Sequence, residues 1–175
     1  NGTFKEVSDE ALGHMSYSSM GSDMADFNND GWLDIFTTDM LPESDRRLKT
    51  TTKFDNYDPQ KAAQGDYFHH QFTSNCLQMN NGDGTFSDIA DMAGVEATDW
   101  SWGALCFDFN NDGWKDLFVS NGMSKDLTNQ DFLTYFSSDE AMSLVRSSGF
   151  NFKSFLAKMS STPLSNHGFV NQKDL

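Results

Sequence analysis

The sequence predicts an all-β fold with helical insertions, built from repeated units of four antiparallel strands. Three observations carry that expectation. The chain repeats itself at an offset of 82 residues. Each copy holds an Asp- and Asn-rich loop that runs into a short β-branched and aromatic stretch. The first copy then continues into Asn81-Gly82-Asp83-Gly84, whose glycines supply the positive φ that a tight hairpin turn requires.

The repeat is gapless where it is strongest. The offset that pairs Asp26 with Asp108 also pairs Phe4 with Phe86, Asp9 with Asp91, Ala11 with Ala93 and Gly21 with Gly103. Gly21–Asp39 and Gly103–Asn121 are identical at 10 of 19 positions. Met24-Ala25 and Cys106-Phe107 lead into the loops, and residues 33–39 and 115–120 leave them as strands. Asn75 to Phe86 reads as strand, turn, strand. One unit is therefore strand, Asp loop, strand, insertion, strand, Gly turn, strand, which is the layout of a propeller blade.

These signals divide the chain into 1–19, the last strand of a preceding blade and its connection; 20–101, a blade with an insertion at 41–70; and 102–175, a next, incomplete blade with a helical insertion at 123–165. The first insertion is polar and contains Pro42 and Pro59. In the second, Ser137 and Glu140 have capping-box spacing and Gly149 supplies a stop. Phe152, Phe155, Leu156 and Met159 recur at helical spacing, for packing on a sheet or for lining a groove. A closed propeller needs about four to eight blades, so this chain reads as a fragment of about two.

Acidic residues outnumber Lys plus Arg by 26 to 12, giving a formal charge of −14. Phosphate neutralisation needs the opposite balance, which excludes nucleic acid as a partner. No run of about 18 apolar residues occurs, so no transmembrane segment is expected. Asn1-Gly2-Thr3-Phe4 reads as mid-domain sequence without a signal peptide. Cys76 and Cys106 are the only cysteines and read as buried free thiols.

The acids are not evenly spread. Asp26, Asn28, Asp30 and Asp34 occupy positions 1, 3, 5 and 9 of one loop, and Asp108, Asn110, Asp112 and Asp116 the same positions of the other. Alternate oxygen side chains around a tight turn suit Ca²⁺, which takes six to eight oxygen ligands at flexible geometry. Position 7, Trp32 or Trp114, offers a backbone carbonyl, and Gly31 or Gly113 at position 6 permits the turn. Two Ca²⁺ ions per chain are expected. Mg²⁺ fits less well, because it demands octahedral geometry and keeps its waters. Thr37 and Val119 stand where an EF-hand needs Glu, so a nine-residue loop is the alternative to a plain Asn-Asp-Gly turn.

The loop pattern, with Trp102-Gly103-Ala104 or Met20-Gly21-Ser22 before it, resembles the FG-GAP (VCBS) repeat, the blade of the seven-bladed propeller in integrin α-subunits. Longer phrases are similar to bacterial secreted proteins whose FG-GAP-like repeats accompany an ASPIC/UnbV domain, related to cartilage acidic protein. These phrases are Gly31-Trp-Leu-Asp-Ile-Phe-Thr-Thr-Asp-Met-Leu-Pro-Glu43, Asn80-Asn-Gly-Asp-Gly-Thr-Phe86, Thr98-Asp-Trp-Ser-Trp-Gly-Ala104 and Ser161-Thr-Pro-Leu-Ser-Asn166. The resemblance implies a calcium-stabilised propeller at the bacterial cell surface, outside the cell or in the periplasm. It names no activity.

By strand alternation the Asp loops and the Gly turn share one end of each unit, and the insertions project from the other. The resemblance places binding on the insertion face. A protein or glycan ligand is expected there, with Tyr57, Tyr67, Phe68, His69, Phe132 and Tyr135 as available aromatic groups. The remaining blades of the full chain are the other expected partners. No catalytic motif is present: HExxH and GxSxG are absent, and His69-His70 are adjacent rather than spaced for one helix face. The alternatives to a binding module are a scaffold segment of a surface-associated enzyme, with its catalytic residues elsewhere, and a purely structural segment.

Overall fold

The computed structural model of the protein describes residues 2–51, 69–139, 142–143 and 151–174. In chain order its elements are α1 (Ser8–Ala11), β1 (Met15–Ser16), β2 (Ser22–Ala25), β3 (Asp34–Thr37), α2 (Asp45–Thr51), β4 (Gln71–Phe72), β5 (Cys76–Asn80), β6 (Phe86–Asp88), α3 (Ala90–Ala93), β7 (Ser101–Phe107), β8 (Asp116–Asn121), α4 (Gln130–Phe136), α5 (Phe152–Lys158) and β9 (His167–Phe169). The described chain is mostly β, with antiparallel sheets and short helices.

Strands β2, β3, β5 and β6 form a four-stranded antiparallel sheet in sequence order. Strands β7, β8 and β9 form a second, three-stranded antiparallel sheet. Ala25 pairs with Asp34 beside the first Asp loop, and Thr37 pairs with Cys76 beside the first insertion. The two loop classes therefore leave opposite ends of the sheet. Trp32 of the Asp loop lies over Gly82 of the Gly turn, whose added Cβ would stand 3.2 Å from the indole nitrogen.

The core lies between the sheets. Phe36 and Val119 are fully buried there, with Ala25, Phe27, Leu77, Met79, Ala104 and Leu117. Leu77 and Met79 point one way from β5, as a two-residue period demands. Cys76 and Gln78 point the other way and are buried as well. The N-terminal segment covers that second face. β1 pairs in parallel with β4, Ser16 Oγ donates to Asp39 Oδ2 at 2.5 Å, and Gln78 Nε2 donates to the His14 carbonyl at 3.0 Å.

The sheets meet where β2 lies against β7. The Cys106 N–H donates to Asp23 Oδ2 at 2.8 Å. At Gly21 an added Cβ would stand 2.5 Å from the Trp102 carbonyl oxygen and 2.9 Å from Gly103 Cα. Gly21 is thus required by a backbone approach, not by its own dihedral angles.

The structure differs from expectation at two places. Residues 2–9 form no strand. Residues 4–6 stand at the repeat position of β6, yet nothing pairs with them among the described residues, and Phe4 is wholly exposed. A strand needs a neighbour to take its backbone hydrogen bonds. The helical turn α1 instead repeats α3 at the 82-residue offset. In the second insertion, Asn129 caps α4 by accepting the Phe132 N–H at 2.8 Å, and Ser137 closes that helix; the next helical turn opens one residue later than expected, where the Ser138 carbonyl accepts the Met142 N–H at 3.1 Å. Glu140 and Gly149 lie outside the described residues. In α5 and just beyond it, Leu156 is half-buried and Met159 buried, as packing predicts. The side chains of Phe152 and Phe155 lie outside the described residues.

Candidate functional site

The two Asp loops have the same internal hydrogen bonds. In the first, Asp30 N–H donates to Asp26 Oδ1 at 3.0 Å and Asn28 Oδ1 at 3.1 Å, Gly31 N–H to Asp26 Oδ2 at 2.8 Å, and Trp32 N–H to Asp30 Oδ1 at 2.8 Å. In the second, Asp112 N–H donates to Asp108 Oδ1 at 3.1 Å and Asn110 Oδ1 at 3.0 Å, Gly113 N–H to Asp108 Oδ2 at 2.8 Å, and Trp114 N–H to Asp112 Oδ1 at 3.0 Å. Asn29 and Asn111 are left-handed, with φ of 57° and 60°, and so are Gly31 and Gly113, at 90° and 88°. No atom stands within 4 Å of a Cβ added at Gly31 or Gly113, so glycine is there for its dihedral angle.

Asp34 and Asp116 play a different part from the other loop acids. Both are buried. Asp34 Oδ2 accepts the Phe27 N–H and Oδ1 the Asn80 N–H, each at 2.9 Å. Asp116 Oδ2 accepts the Phe109 N–H at 3.1 Å and Oδ1 the Asn171 N–H at 2.9 Å. Each carboxylate ties the start of its loop to a neighbouring segment, Asp34 to the end of β5 and Asp116 to the residues just after β9. Burial pushes the Asp34 carboxyl up, and the charges of Asp30 and Asp26 add to that push, while the Asn80 and Phe27 amides pull it down; the net direction is upward. Among the described residues, the loop carboxylates do not gather as a trio within 4.8 Å.

The loops also differ from each other. Lys173 Nζ lies 2.9 Å from Asp112 Oδ2, and this hydrogen bond is the chief influence holding the Asp112 carboxyl below its usual range. The first loop has Gly82 at the corresponding place. Lys173 and Gly82 share a left-handed backbone, with φ of 66° and 73°. Each N–H donates to the asparagine two residues earlier, Lys173 to Asn171 Oδ1 and Gly82 to Asn80 Oδ1, both at 2.9 Å.

This correspondence exposes residues that the 82-residue offset misses. Asn80 and Asn171 are 91 residues apart, and so are Asn75 and Asn166. Asn75 Oδ1 accepts the Asp39 N–H at 2.8 Å, and Asn166 Oδ1 accepts the Asn121 N–H at 2.9 Å. The insertions differ in length, so the third strands follow a second offset. Ser74-Asn75 against Ser165-Asn166 was the available signal.

At the insertion end, α2 and α4 touch. Arg47 joins the two insertions to the connection before β7. Its Nε lies 2.5 Å from Asp99 Oδ2, its Nη2 3.0 Å from Asp99 Oδ1 and its Nη1 3.1 Å from Asp126 Oδ1. Thr162 Oγ1 donates to Asp126 Oδ2 at 2.7 Å. Burial pushes the Asp126 carboxyl up, but Thr162 and Arg47 together outweigh it and hold it low. A cavity of about 190 Å³ opens here, lined by Glu43, Arg47, Asp99, Asn121, Thr162 and His167 among others.

An FG-GAP-like repeat is detected at residues 66–119. The match to the family model for this repeat spans β4–β7, the second Asp loop and most of β8. It points to a β-propeller-like segment. It reaches the repeat itself and not the narrower bacterial group that the longer phrases resemble. No curated protein and no solved structure matches the chain.

The aromatic residues expected to meet a partner are differently placed. Phe132 is buried and stacks on Phe136 with ring centroids 6.4 Å apart, because residues four apart share a helix face. That removes it from the accessible set. Tyr135 lies under Lys158, whose Nζ stands 4.6 Å from the ring centroid. His69 pairs with Asp9. Tyr57, Tyr67 and Phe68 lie outside the described residues. Cys76 and Cys106 are free thiols, the first buried and the second half-buried.

Proposed function

We propose that this chain contributes two successive blades to an exported, seven-bladed β-propeller of the integrin α-like kind, and that each Asp loop holds one Ca²⁺. The observation that carries this reading is the loop pair itself. Two loops 82 residues apart present the same oxygen donors on the same backbone bonds. The donor set fits a hard cation: Asp26, Asn28, Asp30 and Asp34 in one loop and Asp108, Asn110, Asp112 and Asp116 in the other offer only side-chain oxygens for it, with the Trp32 and Trp114 carbonyls adjacent. The N–H bonds to Asp26 and Asn28 each occupy one lone pair and leave another. A bound dication would offset the repulsion among three carboxylates per loop.

The insertion face is the binding surface in this proposal. Arg47 braces the two insertions against the sheet connection, which supports a preformed surface for a protein or glycan ligand. Calcium then acts at the far end of each sheet, on stability.

Calorimetric titration with Ca²⁺ tests the loops directly. Two ions per chain are expected, at on the order of 10⁻⁵ to 10⁻³ M, as in extracellular modules. Asp30→Ala and Asp112→Ala should each remove one ion and lower the melting temperature only when calcium is present. Absence of binding at millimolar calcium would overturn the proposal.

A further inference from the structure

The outward face of the four-stranded sheet carries a second cluster of ligating groups, remote from the Asp loops in sequence and chemistry. His14, Cys76 and Asp88 bring one ligand atom each within 4.8 Å of one another. His14 Nε2 stands 2.7 Å from Asp88 Oδ2. Asp88 is held for this role: its Oδ1 accepts the Leu77 and Ala90 N–H groups, each at 2.9 Å, which leaves Oδ2 facing the cluster. The His14 ring is steadied edge-on by Phe72, with centroids 5.4 Å apart.

A fourth group supplies an independent observation. Gln78 is 4% exposed, and its Oε1 has no hydrogen-bond partner. Gln78 pairs in register with Asp88 and lies two residues from Cys76 on β5, so all three project from one face. Its Nε2 donates to the His14 carbonyl at 3.0 Å, which brings the amide to the same segment as the imidazole. A buried amide oxygen without a donor asks for a positive partner.

We propose that His14, Cys76, Asp88 and Gln78 form a binding site for one zinc-like transition-metal dication. A thiolate, an imidazole and two oxygens make a four-ligand set of the kind zinc takes, and they are too soft a set for calcium. Ligands around tetrahedral zinc stand about 3.3–3.8 Å apart, so the His14–Asp88 contact must open by roughly 1 Å or less. His14 lies on the connection between α1 and β1, with part of its ring exposed. On binding, the Cys76 S–H bond breaks, a sulfur–metal bond forms and the proton leaves to solvent. Burial first, and then the charge of Asp88, pushes the Cys76 thiol up to about 12, a penalty that a dication beside the sulfur reverses.

The test uses the full chain in reducing buffer with saturating calcium, titrated with Co²⁺ as the probe. The expected result is a sulfur-to-cobalt charge-transfer band that saturates at one equivalent, disappears on adding Zn²⁺ and is lost in Cys76→Ser. Gln78→Leu should weaken Co²⁺ about tenfold or more. His14→Ala, on the exposed connection, keeps the thiol and carries the test if Cys76→Ser does not fold. A missing band, a band that survives Cys76→Ser, a band lost instead in Cys106→Ser, or unchanged affinity in His14→Ala would each overturn the site and leave His14–Asp88 as an ion pair alone.

Discussion

Asp34 holds Asn80 through its backbone: Oδ1 accepts the Asn80 N–H at 2.9 Å, while Oδ2 takes the Phe27 N–H at the same distance. One fully buried carboxylate thus fastens a loop to the strand beside it. Asp34→Ala strands two amide donors, each worth about 1–3 kcal/mol when unsatisfied and buried, so a loss of about 2–6 kcal/mol is expected. The loss should persist in calcium-free buffer. Urea denaturation with and without a chelator measures it, and a loss confined to calcium would contradict the latch.

The pH dependence of that latch has a definite sign. The folded Asp34 carboxyl is raised above its ordinary 3.8. Its contribution is fully present below 3.8 and is lost as pH rises through the raised value. Asp126 is lowered, so its contribution is present above 3.8 and is lost as pH falls through the lowered value. Without calcium, wild type should therefore gain on Asp34→Asn as pH falls from 7 toward 4. Against Asp126→Asn it should lose ground once pH drops below about 4. Paired melting curves test both.

Lys173 should give the two loops unequal calcium affinities if they hold calcium as proposed. Its ammonium already neutralises part of Asp112, and Gly82 at the corresponding place offers no charge. Calcium should bind the second loop more weakly than the first. Lys173→Ala should tighten the second site a few-fold, in keeping with a partly exposed ion pair. Site-resolved titration in Asp30→Ala, which leaves only the second loop, provides the measurement.

Gly21→Ala should separate the sheets. The new methyl would meet the Trp102 carbonyl and Gly103 Cα, which are backbone and cannot rotate away. Overpacking of this kind costs about 1–3 kcal/mol. Gly103→Ala meets only the Ser120 hydroxyl at 3.1 Å, a group that can turn, and should cost less. Thermal melts of the two variants decide it.

Arg47→Met leaves Asp99 and Asp126 facing each other without a cation. Both carboxylates are buried but Arg47 is only half-buried, so the loss should fall below the about 3–5 kcal/mol of a fully buried pair. Adding Asp99→Asn and Asp126→Asn to that variant should recover much of the loss. Denaturant midpoints of the single and triple variants test the coupling.

Local chemistry made much of this protein legible in the sequence. The 82-residue repeat, the Asp loops, the glycines at their sixth positions and the Gly turn are adjacent residues obeying local rules, and strand alternation alone placed loops and insertions at opposite ends. Asn80, Asn171 and Arg47 were not legible. Asn80 and Asn171 act on carboxylates 46 and 55 residues away, across insertions of unequal length. Arg47 reaches Asp99 and Asp126 across 52 and 79 residues.

The sequence by itself determined the repeat unit, its strand order and the donor set of each Asp loop, because those depend on spacing within a few residues. Tertiary structure decided that Asp34 and Asp116 are buried latches, that Phe132 packs inward, and that Gly21 lies against Trp102. It also brought His14, Cys76, Gln78 and Asp88 together. Cys76, Gln78 and Asp88 share a sheet face by register, but His14 joins them only because the N-terminal segment folds back over that face. Contacts of that kind are set by which surfaces the chain must cover, and no spacing along the sequence encodes them.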